Sequence, residues 1–295
     1  MSSNQRRTIT IPAGIGDAIW IFQKLANQPE KFHIVLPDGT PQRGHQILEL
    51  LPNVVASYEY ASALGYNKIK ENNIQAKKKQ WSMIQQKEFY LSANAWLEAG
   101  RRLEGWLPDL PISYKMEYAT TDKDTAQASD LLPAGRHYIG IYASAYANTR
   151  HAHYNGWGPD EWLSFIKAMY SQNRDQSFVI IGAPYDQDLA HMLMHKLYEY
   201  RIPYIDTIGQ PLRVVVELLK RLAYFVGFPS GLSILNETLG KDGVMFYGQK
   251  VAGIINTWAD PERIATGSIK ECLFCEPQKI FDWIKHDYQL FKRLQ

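Results

Sequence analysis

What the chain has little of narrows its class first. Two cysteines occur in 295 residues, Cys272 and Cys275, which excludes a disulfide framework. Their CxxC spacing supplies two of the four ligands that a closed structural zinc site takes, and there is no second pair. Two free thiols in a reducing compartment is the expected state. Surplus charge is small: 32 Lys and Arg against 30 Asp and Glu leave a net +2, too mild for a chain built around nucleic acid. No apolar run reaches the roughly 18 residues that cross a bilayer. The opening MSSNQRRTIT carries no apolar signal core, so a cytoplasmic protein is expected. Internal repeats and low-complexity tracts are missing too, which excludes a solenoid. So is the dinucleotide fingerprint, since GxGxxG would need a glycine where Ile19 stands.

What is present is alternation of strand and helix signals. RRTITIP (6–12) reads as a strand, followed by AGIGDAIWIFQKLAN, in which Gly14 and Gly16 permit a sharp turn and Ile19, Phe22 and Leu25 continue an apolar helix face. Asp17 falls at the start of that helix. There it complements the helix dipole, or takes a proton from an incoming hydroxyl at a mouth left open by the glycines. FHIVLP, RGHQILELLPN and VVASYEY extend the rhythm to residue 60, as in a parallel sheet covered by helices. From Asn67 to Lys87 the chain turns basic, and Lys77, Lys78 and Lys79 read as a solvated face or as a contact for an acidic or phosphate-bearing partner. Arg101 and Arg102 lie in the Trp-rich segment 95–111 and read equally as surface charges. ATTDKDTAQASDLLPAGRH (119–137) is polar, ends in Pro and Gly, and is the expected interdomain linker.

A second series follows at once. Five strands, HYIGIYAS, SFVIIGAP, YIDTIG, AYFVGF and VMFYG, are separated by four helical stretches, enough for a complete doubly wound domain. The chain is organised around its stretch 222–248: a strand stopped by Pro229, then Ser230 and Gly231, a helix with Leu232, Leu235 and Leu239 on one stripe, Gly240 as its end, and another strand. Such a unit aims the free N–H groups near Ser230 to Ser233 above the carboxyl ends of the strands, where a phosphate binds well. Alternatively Ser230 only caps the helix. The final amphipathic stretch 276–294 is expected to reach back across the first domain.

GIGDAIW (14–20), the segment 141–166, VIIGAPYD (179–186), the segment 205–240 and MFYG (245–248), taken in order over nearly the whole chain, resemble the heptosyltransferase-like glycosyltransferases, glycosyltransferase family 9. The resemblance implies an α/β chain of the GT-B type, two Rossmann-like doubly wound domains facing a central cleft. Residues 1–130 would form the acceptor side, 131–276 the nucleotide-sugar domain, and 277–295 the helix returning across the junction. It implies transfer of a sugar, with inversion, from a nucleotide-diphosphate sugar to an acceptor hydroxyl, with Asp17 as general base. Donor contacts would come from Gly14, Gly16, Ser144, Arg150, Gly182, Ser230, Gly231, Leu232, Ser233 and Glu237, the last toward the ribose, though Glu237 reads equally as an exposed helix residue. Acceptor contacts would include Trp96 and Arg101. No metal and no separate cofactor is expected, because the helix start and basic side chains offset the charge of the leaving diphosphate.

Three positions depart from the family. Pro229 and Ile234 stand where its members often carry an acidic residue and a His. Asn155, with Gly158 inserted before Pro159, replaces a common Lys. Arg150, His151 and His153 are candidates for the missing positive charge. These changes bear on the sugar more than on the fold. Two other functions remain compatible with the scaffold: a different GT-B enzyme such as a sugar-nucleotide epimerase or a phosphorylase, and a non-catalytic binding or assembly module. Acceptors compatible with the resemblance are a glycan, a lipid-linked saccharide, a protein, a small molecule or a modified nucleic acid.

Overall fold

The computed structural model describes residues 7–10, 14–29, 31–37, 43–60, 100–143, 157–228, 230–247, 258–273, 277–287 and 292. The chain divides into two compact units, Met1–Ala119 and Thr120–Gln295.

In the first unit, strands β1 (Arg7–Thr10), β2 (Phe32–Pro37) and β3 (Val54–Tyr60) form a parallel sheet in the order β1-β2-β3. Helix α1 (Ile15–Leu25) follows β1, and α2 (Arg43–Leu48) precedes β3. Ile19, Phe22 and Leu25 are buried as their spacing predicts, and the Phe22 ring meets Phe32 of β2 edge-on at 6.0 Å. Lys24, on the other side of α1, is also buried, at 1% exposure. Its ammonium donates to the carbonyls of Glu104 (2.7 Å), Leu110 (2.9 Å) and Leu107 (3.4 Å), and Ser113 N donates to Gln23 O at 2.7 Å. These bonds fasten the irregular segment 103–113 along α1. Within it, Leu107 holds a positive φ of 51°, a backbone strain that the surrounding bonds sustain.

The second unit contains a six-stranded sheet of β4 (His137–Tyr142), β5 (Gln176–Ile180), β6 (Tyr204–Asp206), β7 (Tyr224–Gly227), β8 (Gly243–Tyr247) and β9 (Ile269–Leu273). All neighbours are parallel, and the order is β6-β5-β4-β7-β8-β9. β5 and β7 are buried along their whole length, and in β5 this includes the polar Gln176 and Ser177 beside the apolar Phe178, Val179 and Ile180. The crossovers are α4 (Pro159–Gln172), α5 (Gln187–Glu199), α6 (Leu212–Arg221) and α7 (Gly231–Thr238), and α8 (Pro261–Ala265) precedes β9. Among the described residues, no helix is long and apolar enough to cross a membrane.

Two expectations change. The sheet has a sixth strand, β9, because IKECL pairs with β8 from Gly243↔Ile269 to Tyr247↔Leu273. The segment expected as a linker holds helix α3 (Asp122–Leu131), closed by a capping box in which Thr121 N donates to Asp124 Oδ2 at 2.8 Å and Asp124 N to Thr121 Oγ1 at 3.3 Å. It packs on α6 within the second unit. The C-terminal helix α9 (Pro277–His286) buries Ile280, Phe281 and Ile284 and packs on α4.

Candidate functional site

Chain order reverses between β4 and β7, the two central strands of the second sheet. In open α/β sheets ligands bind in the crevice outside the carboxyl ends of such strands, because the flanking crossovers leave there in opposite directions. β7 ends at Gly227 opposite Tyr142 of β4, and a Cβ added at Gly227 would lie 2.8 Å from Tyr142 Cβ. Only glycine lets the two strand ends come this close.

Directly after β7 the chain enters α7. Ser230 is the N-cap, with extended backbone, and its side chain accepts from Ser233 N at 3.3 Å. Ser233 Oγ donates to Phe228 O at 2.6 Å and is buried. The two serines thus brace the turn from both sides. Among the described residues, the amides of Gly231 and Leu232 have no backbone acceptor, and Ser230, Gly231 and Leu232 are half-buried. The sequence expectation that this helix start lies at the carboxyl edge of the sheet is met by the strand order. Ile234 is turned into the core at 6% exposure.

Beneath the turn lies an aromatic cluster. Trp162 packs edge-on against Trp157 (4.9 Å) and Phe228 (5.5 Å) and tilts over Phe246 (5.9 Å). Its indole N–H donates to Ala143 O at 3.0 Å, at the end of β4. One strand further out, Gly182 follows β5. A Cβ there would meet Ile208 Cδ1 at 2.8 Å and Asp186 Oδ2 at 3.1 Å, so tight packing explains this glycine.

Glu237 departs from one of its two sequence readings. It is not an exposed helix residue, since its side chain is 1% exposed, and its carboxylate pairs with Arg263 of α8. Arg263 also donates to Glu237 O at 2.8 Å and Lys241 O at 2.7 Å, tying α8 to the α7–β8 turn. Burial pushes the Glu237 carboxyl up to about 7 against the opposing charge of Arg263, and Oε1 is buried without a hydrogen bond among the described residues. Nothing in the sequence flags Arg263 as the partner, because 26 residues separate them.

In the first unit Asp17 occupies the first turn of α1, three residues after the N-cap Gly14. Its carboxylate folds back over Gly14, where an added Cβ would collide with it. Gly16 is buried in the same turn and Asp17 is half-buried. Desolvation raises the Asp17 carboxyl above the ordinary aspartate range. Such a carboxylate is a better proton acceptor than a free one. Arg101 is exposed, whereas the neighbouring Arg102 is held by Glu104 (Nε–Oε1 2.9 Å). Trp96, Ser144, Arg150, Lys77, Lys78, Lys79, Asn155, Pro229 and Cys275 lie outside the described residues, and Cys272 is described by its backbone alone, in β9.

The arrangement can be compared with solved structures. ADP-heptose LPS heptosyltransferase II of E. coli superimposes with a TM-score of 0.60 at 13% identity, over 98% of this chain and 99% of that one. A glycosyl transferase family 9 protein from Veillonella parvula gives 0.62 at 13% identity, over 96% and 91%. The chain has the GT-B fold. The same fold accounts for the likeness to UDP-GlcNAc 2-epimerase from Neisseria meningitidis, at TM-score 0.51 and 12% identity over 98% and 94%. No protein-family model and no curated protein sequence matches the chain.

Proposed function

We propose that the protein is an inverting glycosyltransferase that moves a sugar from a nucleotide-diphosphate donor to an acceptor hydroxyl. The observation that carries this reading is the Ser230-capped start of α7 at the topological switch point of the second sheet, where two amides have no backbone acceptor among the described residues. A diphosphate placed there would accept from Gly231 N and Leu232 N and gain from the helix dipole. Likeness to glycosyltransferase structures over nearly the whole chain supports the reaction class.

In the proposed step the acceptor O–H gives its proton to the Asp17 carboxylate while its oxygen attacks the anomeric carbon. The bond from that carbon to the diphosphate oxygen breaks on the opposite side. The nucleoside diphosphate leaves with the electron pair, and its growing charge is met by the α7 amides. Because these groups serve the leaving diphosphate, transfer is expected to persist in chelator. Glu237, enclosed by Arg263, would then support the donor helix from below.

The test is calorimetry with ADP, UDP and GDP on the wild type and on Gly231→Leu, followed by mass spectrometry of products from the matching nucleotide sugars. Leucine at the first helical position leaves the helix intact but covers the amides. Loss of nucleotide binding in a folded variant is expected, and unchanged affinity would place the donor elsewhere. The epimerase likeness makes a second reading concrete: UDP-GlcNAc incubated without acceptor would yield its 2-epimer, which a transferase does not form.

A further inference from the structure

We propose that the second unit carries a separate binding site for a small hydroxylated phosphate ester, in a cavity at the amino-terminal edge of its sheet. The cavity, about 540 Å³, opens where β4 begins at His137 and β5 begins at Gln176. Small ligands occupy clefts of this size. β5 is five residues long, so at about 3.3 Å per residue roughly 15 Å separates this edge from the carboxyl edge where the Ser230 turn lies. A ligand here is therefore not the donor of the reaction proposed above, and the site does not depend on that reading.

The buried end of the cavity holds two polar atoms that call for a partner. His137 and Gln176 are register partners on adjacent parallel strands, so their side chains leave the same face of the sheet. Gln176 is 1% exposed, and its Nε2 donates to Met169 O of α4 at 2.8 Å, which fixes the orientation of the amide. Gln176 Oε1 is thereby left buried without a hydrogen bond among the described residues, and His137 Nε2 is in the same condition. A buried acceptor in this state costs more than a bond to it gains. Burial lowers the His137 ring below the usual histidine range, so the imidazole is uncharged at neutral pH and Nε2 can carry its one proton. A single ligand hydroxyl then satisfies both atoms, accepting from Nε2–H and donating to Oε1.

The exposed end has different chemistry. Arg136 and Arg174 stand there, and among the described residues neither is in an ion pair. The Arg174 guanidinium lies over the Tyr170 ring at 4.7 Å, which holds it in place. Two guanidinium forks offer more N–H donors than the two oxygens of a carboxylate take up, and they match the three terminal oxygens of a phosphate. Asp175 lines the same end and opposes an anion. With His137 neutral, two positive charges against one negative suit one phosphate group and not a polyanion.

Calorimetry on the full chain with glycerol 3-phosphate and glucose 6-phosphate, beside inorganic phosphate and glycerol, tests the site. The esters should saturate a single site, inorganic phosphate should bind more weakly, and glycerol should not bind. Arg136→Gln and Arg174→Gln, both at exposed positions, should each weaken the esters about tenfold, the loss of one charge-assisted hydrogen bond. Gln176→Leu should reduce the esters to the affinity of inorganic phosphate and leave phosphate itself unchanged, whereas Gly231→Leu should alter neither. The His137 ring resonances, assigned by comparison with His137→Gln, should shift as the wild type is saturated. No saturable binding by either ester, or unchanged affinity in both arginine variants, would overturn the site. Loss of ester binding in Gly231→Leu would assign the phosphate to the start of α7 instead. A His137 ring unmoved at saturation would overturn the buried contact, whether or not Gln176→Leu folds.

Discussion

Replacing Arg263 with methionine should destabilise the second unit by an amount that grows with pH. The Glu237 carboxyl is raised from 4.5 to about 7. A carboxyl whose folded value lies above its unfolded value favours folding when protonated, so its contribution is complete below the unfolded value and is lost as pH rises through about 7. The shift corresponds to about 3 kcal/mol that the wild type forfeits across this window. Arg263 limits that loss. Without it, an ionised Glu237 at 1% exposure is left uncompensated, which costs about 3–5 kcal/mol above pH 8. Near pH 5 the protonated acid needs no counter-ion, and the cost reduces to the lost bonds to Glu237 O and Lys241 O, about 2 kcal/mol. Urea unfolding followed by tryptophan fluorescence at the two pH values measures both quantities. Glu237→Gln combined with Arg263→Met should bring the high-pH loss down to the low-pH value. A loss from Arg263→Met that is equal at the two pH values would refute the ion pair as the group compensating Glu237.

Asp17→Asn should lower transfer about 10²- to 10⁴-fold with donor affinity little changed, and the acid limb of the wild-type kcat profile should lie above the ordinary aspartate value because burial raises this carboxyl; equal turnover would remove Asp17 as base. Lys24→Met leaves three carbonyls without their ammonium and should cost about 3 kcal/mol, with amide exchange rising across 103–113; exchange unchanged there would mean that the segment is held by something else. Gly227→Ala forces a Cβ to 2.8 Å from Tyr142 Cβ and 3.2 Å from Tyr142 O, and should cost about 1–3 kcal/mol and weaken nucleotide binding, measured by calorimetry on the folded variant.

The second sheet was legible where burial is two-sided. The runs Phe178–Ile180 of β5 and Tyr224–Val226 of β7 are buried on both faces, and the Pro-Ser-Gly turn after β7 announces a capped helix by residue type alone. β9 was missed because an edge strand buries less and IKECL carries two charges among five residues. α3 was mistaken for a linker because Ala128 is its only buried residue, so it lacks an apolar stripe, although Thr121 and Asp124 stand at capping-box spacing. Buried charge was the least legible feature. Lys24 and Glu237 look like surface residues in sequence, and what encloses them, the carbonyls of 104–110 and the guanidinium of Arg263, comes from distant parts of the chain. Strand order, which decides where the Ser230 turn lies, depends on pairing between segments far apart in sequence and cannot be read from local pattern.

Trp162 gives the second unit a property of practical use. Its indole N–H fixes Ala143, where β4 ends, and its ring fixes Trp157, where the chain returns toward α4. One side chain therefore serves as a common post for both ends of the segment 144–156. Substituting this one residue therefore perturbs the end of β4 and the approach to α4 together, beside the switch point.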